Sequence, residues 1–351
     1  MNGHLRSTLI LGSLLLAAGC EQSTPPEDSK FIPTASFVSA SSVKLETRIS
    51  GVAWDPEAFF MSLAFCGQGC PMPPFLNEGI PLYLRSSVRN ATISAFDPVA
   101  GAPVGSVTSD PRGIWELPGV PSRSTVPYFI LATGSGELPT EQIGPPLPPT
   151  PPTQYLPTLT LRPIMTTDGT CISQEAVHIG RHGILEAVAK HLTVVQSRPT
   201  VVTDLIDPAQ YHSVAVLGLF HAGNSSLRAP ADSIGVEVEG GGQVYYIDWA
   251  PPGIPPPELR STRGFIVTDT PSPVGFAVVL VPNTGPRPLQ LTYKVADPKT
   301  DAVSRRPWNF PPVTAPPAPG IVTFIGMPMR YALPAIPLYT FPPPPSFCVP
   351  Q

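Results

Sequence analysis

The sequence predicts a mainly β protein: two antiparallel β-sandwich domains joined by a Pro-rich linker, with one short helix in the second. Three observations predict it. Proline supplies 51 of the 351 residues, about one in seven, and each proline removes a backbone donor and clashes with the preceding helical turn, so long helices are excluded over most of the chain. Hydrophobic residues make up 42% and charged residues only 13%, the reverse of a disordered polyelectrolyte, so the chain can bury a core. The apolar residues come in short runs bounded by turn residues, the pattern of strands. A net charge of −4, with basic residues scattered and never in a run, leaves no electrostatic footprint for nucleic acid, and no nucleic-acid partner is expected.

Residues 1–19 have a short n-region with Arg6, an apolar run from Leu9 to Ala18 and small residues before Cys20. That is the layout of a secretory signal. The stretch from Leu9 to Cys20 is uncharged but too short for a bilayer, which takes about 20 residues. Leu16-Ala17-Ala18-Gly19-Cys20 resembles the bacterial lipoprotein box that is cut before its cysteine. The resemblance implies lipidation of Cys20, palmitate included, and membrane attachment through that anchor. Glu21 stands where Asp would favour inner-membrane retention, so the expected location is the cell envelope, at the outer membrane. Residues 20–43, rich in Ser, Thr and Pro, read as a lipidated flexible tether.

Residues 44–143 contain the runs Arg48–Trp54, Ala91–Phe96, Gly113–Leu117 and Tyr128–Ala132, each a short apolar or alternating run bounded by turn residues, the pattern of an antiparallel sandwich. The segment 144–163, opening Gly-Pro-Pro-Leu-Pro-Pro, favours polyproline II and reads as the linker. The second domain, 164–351, offers a helix at roughly 173–192, with Ile184, Leu185, Val188 and Leu192 on one face although Gly180 and Gly183 weaken its first half. Strands are expected after it at 213–220, 233–238, 244–249, 264–268, 276–281 and 289–295. Short segments of the two halves echo each other in order, Pro111–Ile114 by Thr262–Phe265 among them, as an internal duplication would.

In the first half, Ser50-Gly51-Val52, Ala91-Thr92-Ile93, Gly101-Ala102-Pro103-Val104, the stretch Thr108–Trp115 and Tyr128–Thr133 resemble in order the motifs of carboxypeptidase regulatory-like domains, which are transthyretin-like β-sandwiches. Asp110 and Gly113 suit that family's tight hairpin. An insertion of about 35 residues carrying Cys66 and Cys70, and Gly134-Ser135-Gly136 in place of the closing Gly-Tyr, depart from the pattern. The resemblance implies a non-catalytic accessory or binding module with no active-site residues to carry over.

Cys66, Cys70, Cys171 and Cys348 allow three pairings in an oxidising compartment. The glycines of Cys66-Gly-Gln-Gly-Cys70 permit a small closed loop, which favours Cys66 with Cys70 and Cys171 with Cys348. No P-loop, GxSxG, HExxH or EF-hand loop occurs. Glu175, His178, His182 and Glu186 would line one helix face at metal-ligand spacing; a solvated polar face is the competing account, and no metal or other cofactor is expected. His212 and His221 flank an apolar strand as ordinary polar ends. Tyr245, Tyr246, Trp249 and Trp308 are core aromatics or a carbohydrate platform. Taken together, the chain reads as a lipid-anchored structural or binding module and not an enzyme, its partner an envelope protein or a carbohydrate. The alternatives are a metal-dependent hydrolase using Glu175, His178 and His182, or an envelope-assembly partner.

Overall fold

The computed structural model describes residues 46–66, 86–138, 154–166, 171–222, 228–230, 235–250, 257–272, 274–296, 308–309, 312–328 and 330–331. All belong to one compact unit, Lys44–Gln351. Its centre is a ten-stranded sheet. Along the sheet the strands run Phe265–Thr268, Gln243–Trp249, Phe276–Pro282, Tyr211–Ala222, Val322–Pro328, Thr158–Thr166, Arg123–Thr133, Thr92–Asp97 and Ala102–Thr108, with Arg228–Pro230 branching from Tyr211–Ala222. The mainly β class is therefore as expected, with two differences. Strands from both expected domains share this one sheet, and two of its central ladders, Val214 with Val322 and Val322 with Thr158, are parallel.

Both faces of the central strands are covered, and the sequence of Tyr211–Ala222 shows why. Val214 and Val216 enter one core with Ile93, Ile130, Val278, Leu280 and Phe324. Their neighbours Ala215, Leu217 and Leu219 enter a second core with Ala277, Val279, Val281 and Ile325. Successive side chains point to opposite faces, so a strand buried on both must be continuously apolar.

The first core is closed by a smaller sheet. Here Glu46–Trp54 pairs antiparallel with Ile114–Pro121 and parallel with Cys171–Ser173 and Ala176–Val177, contributing Ile49, Trp54, Trp115 and Leu117. The second core is closed by a three-stranded sheet of Val236–Glu239, Leu291–Val295 and Val313–Ala315, through Val236, Leu291 and Tyr293.

Three helices occur among the described residues: α1 (Pro56–Cys66), α2 (Ile184–Gln196) and α3 (Val202–Leu205). The single helix expected at 173–192 is α2, which starts about ten residues later. Residues before it form strands instead, Cys171–Ser173 and Ala176–Val177 on the small sheet and Ile179–Gly180 against Tyr155–Leu156. The expected linker thus contributes Tyr155–Leu156 and the start of Thr158–Thr166; its proline-rich part, 144–153, lies outside the described residues. Ile184, Leu185, Val188 and Leu192 do share the buried face of α2.

The turn at Asp110 does not make a hairpin. It carries the chain from the large sheet to the small one, since Ala102–Thr108 pairs with Thr92–Asp97 and Ile114–Pro121 with Glu46–Trp54. The echoed segment at Ser261 repeats its main hydrogen bonds, although Arg112 N donates to Asp110 Oδ1 and Arg263 N to His182 O. Asp110 N donates to Ile114 O and Ser261 N to Phe265 O, each at 2.8 Å. Gly113 and Gly264 hold positive φ, 77° and 90°, which a glycine adopts at little cost. Ile114 N and Phe265 N donate to the side chains of Asp110 and Ser261. The carbonyls of Gly113 and Gly264 accept from Ala53 N and Ala250 N, each at 2.7 Å. The ladders around the two turns differ: Arg123–Thr133 pairs with Thr92–Asp97, whereas Phe276–Pro282 pairs with Gln243–Trp249 and Tyr211–Ala222.

Candidate functional site

A buried polar cluster lies where the small sheet ends and α1 begins. Asp55 follows the last residue of Glu46–Trp54, and its Oδ1 accepts from Glu57 N at 2.9 Å and Ala58 N at 3.0 Å. It is the N-cap of α1, with proline at the first helical position where no donor is needed. Its Oδ2 accepts from Tyr155 Oη at 2.8 Å and from Arg263 Nη1 at 2.6 Å. The same Nη1 donates to Glu57 Oε2 at 2.7 Å.

Glu57 Oε1 accepts from Ile184 N at 2.8 Å, so a carboxylate on α1 caps α2, whose own N-cap, Gly183, has no side chain to do so. Gly183 also makes the room: a Cβ there would stand 1.8 Å from Glu57 Oε2. The glycines that weaken a helix over 173–192 therefore give the Glu57 carboxylate and the Arg263 guanidinium clearance, Gly180 lying against both.

Asp55, Glu57 and Arg263 are all buried. Burial pushes the Glu57 carboxyl up to about 7; Arg263 opposes the rise and Asp55 adds to it. Arg263 loses hydration too, but Asp55 and Glu57 outweigh that and hold it above the usual arginine value. Tyr155 is raised by burial and by Asp55, and stays a neutral donor.

Outside this centre, Arg263 N donates to His182 O and Arg263 O accepts from Trp249 Nε1. Glu186 accepts from Thr262 N at 2.8 Å and Oγ1 at 3.2 Å, and Lys190 Nζ donates to Arg260 O. The cluster thus joins α1, α2, Tyr155–Leu156 and the turn before Phe265–Thr268. Its reactive atoms face one another, and its chemistry is that of an internal ionic cross-link.

The four residues at metal-ligand spacing do not converge, because Glu175 to Gly180 is extended and the helical spacing they need is absent. His178 is fully buried, its ring stacked on Tyr155 at 4.5 Å, with no hydrogen-bond partner at either ring nitrogen. Burial lowers it to about 3, a neutral imidazole. Glu175 faces Arg162 at 3.9 Å, while His182 lies 3.7 Å from Glu186. Among the described residues no three His, Cys, Asp or Glu side chains are grouped to hold a metal ion. The hydrolase alternative through Glu175, His178 and His182 loses its geometry.

Tyr245 and Trp249 face the first core and Tyr246 the second, so they form no common platform. The side chain of Trp308 lies outside the described residues, as does that of His221. His212 Nε2 lies 3.0 Å from Gly285 O. Cys171 is disulfide-bonded, with Arg48 Nε donating to its sulfur at 3.2 Å. No disulfide has both cysteines among the described residues; Cys20, Cys70, Cys348 and the side chain of Cys66 lie outside them.

The sequence reading missed Asp55, Glu57, Tyr155 and Arg263. Asp55-Pro56-Glu57 is a helix-start signature, and the echo of Arg112-Gly113 in Arg263-Gly264 marks the second turn, but nothing local shows that Arg263 meets residues about 200 positions earlier.

Fold and site together define a mainly β protein whose layers are pinned by a buried carboxylate–guanidinium cluster. No family model and no curated protein matches the chain. Among solved structures it aligns with the Bacillus anthracis TIE protein at TM-score 0.21 and 11% identity, over 82% of this chain and 34% of that one. It aligns with the shaft pilin SpaA of Lactobacillus rhamnosus GG at TM-score 0.19 and 8% identity, over 82% and 100%. The chain spans about a third of the Bacillus anthracis protein.

Proposed function

We propose that this chain is a lipid-anchored protein of the cell envelope, at the outer membrane, working as a non-catalytic structural or binding module. The observation that carries the reading is the Leu16-Ala17-Ala18-Gly19-Cys20 box directly after the apolar run Leu9–Ala18, the layout of a signal cut before a lipid-modified cysteine. The resemblance of 44–143 to carboxypeptidase regulatory-like domains supports the module half of the proposal. So does the polar centre, whose ionisable groups are buried against one another. Module proteins of this kind act through loops and strand edges presented to a partner, here an envelope protein.

The test is expression of the full chain and of Cys20→Ser with labelled palmitate, followed by membrane fractionation. The proposal expects label and membrane association in the parent and loss of both in the variant. A Cys20→Ser protein that still fractionates with membranes, or a parent without label, overturns it.

A further inference from the structure

The buried cluster contains two carboxyl groups and one guanidinium, so with both carboxyls ionised it carries a net negative charge away from water. Two of their oxygens take the same nitrogen, Arg263 Nη1, at 2.6 and 2.7 Å. Like charges this close favour retention of one proton by the pair. The Glu57 carboxyl is also the group on which α2 and the turn before Phe265–Thr268 are hung, through Ile184 N and Arg263.

We propose that Asp55, Glu57 and Arg263 form a one-proton latch: with the proton the buried charges balance and the start of α2 and the 261–264 turn stay docked on α1, and without it they open more readily.

The groups facing Glu57 from each packed element bear this out. From α1 and its cap come Asp55 and the helix backbone. From the turn comes Arg263, and from the start of α2 the Ile184 N–H, with Gly180 and Gly183 contributing no side chain. Tyr155 donates to Asp55 and also interacts with Arg263, and His178 stacks on Tyr155. Both are neutral across the range in question, Tyr155 held up and His178 held down. His182 and Lys190 each pair with Glu186. Arg263 and Asp55 are the charges that act on Glu57.

The direction follows from linkage. The Glu57 carboxyl binds its proton more tightly in the docked state, about 7 against an ordinary 4.5. Docking is therefore strongest below pH 4.5, weakens as pH rises and levels off above 7.

The experiment is amide exchange at Ile184 in the full protein and in Glu57→Gln, which keeps the shape and cannot titrate, between pH 4.5 and 8.5. After correction for intrinsic chemistry, the ratio of parent to variant protection should fall up to about tenfold per pH unit to pH 7, then stay level. Infrared difference spectra of the parent at pH 5.5 and 8.5 provide a readout that does not need the variant to fold. They should show a buried protonated carboxyl lost at the higher pH. A ratio independent of pH, or a parent spectrum without that band, overturns the latch.

Discussion

Replacing Gly183 by alanine puts a carbon 1.8 Å from Glu57 Oε2, 2.2 Å from Cδ and 2.4 Å from Oε1. The carboxyl must move by more than an ångström, and both of its oxygens are engaged, by Ile184 N and by Arg263. A Gly→Ala change at a compatible site stabilises by about 0.4–1 kcal/mol through the unfolded chain. Here a buried ion pair is broken, which costs about 3–5 kcal/mol, so the net effect should be destabilisation of about 2–4 kcal/mol. Urea unfolding at fixed pH measures it as a lower midpoint at unchanged slope. The cause is isolated by repeating the change in a Glu57→Ala background, where the colliding carboxyl is gone and Asp55 still balances Arg263. There Gly183→Ala should cost less than about 1 kcal/mol, leaving a coupling of at least about 1–3 kcal/mol. A Gly183→Ala protein as stable as the parent, or an equal cost in both backgrounds, would refute the account of these glycines as clearance for the carboxyl.

Arg263→Met removes the cation from two buried carboxyls and should cost about 3–5 kcal/mol by denaturant unfolding; a loss under 1 kcal/mol would show that the cluster does not hold the layers together. His178 is held down to about 3 by burial, while the unfolded chain binds that proton near 6.5, so this residue's contribution to stability is intact above pH 6.5 and falls as pH drops towards 3. His178→Leu should remove that dependence and gain about 2 kcal/mol relative to the parent between pH 6.5 and 5; equal acid sensitivity in the two proteins would count against a neutral buried imidazole. Non-reducing peptide mapping of the mature chain should recover Cys66 with Cys70 and Cys171 with Cys348, and a crossed pairing would refute that assignment.

The strands were legible because their cue is local. Short alternating or continuously apolar runs with bounding turn residues mark Glu46–Trp54, Thr92–Asp97 and Phe276–Pro282 whatever they pair with. The buried face of α2 was legible for the same reason, in the spacing of Ile184, Leu185, Val188 and Leu192. The start of that helix was not. Glu175 to Gly180 has helical spacing on paper, yet Ala176–Val177 pairs with Glu46–Trp54 and Ile179–Gly180 with Tyr155–Leu156, and these distant backbone partners outweigh local propensity. The cluster was hidden on both counts. Its glycines serve by lacking a side chain beside Glu57, and its members come from four separated stretches of chain, so spacing in the sequence carries no trace of their meeting.

The place of Val322–Pro328 in the large sheet fixes an order of assembly. This strand, about 100 residues after Tyr211–Ala222 in sequence, is inserted between that strand and Thr158–Thr166. A chain emerging N-terminus first can build the strands on either side of it, but their facing edges stay unpaired until more than 320 residues have appeared. Such edges are templates for pairing with other chains. Final folding must then wait until Val322–Pro328 has emerged, and truncation just before Val322 should convert a folded protein into one that aggregates.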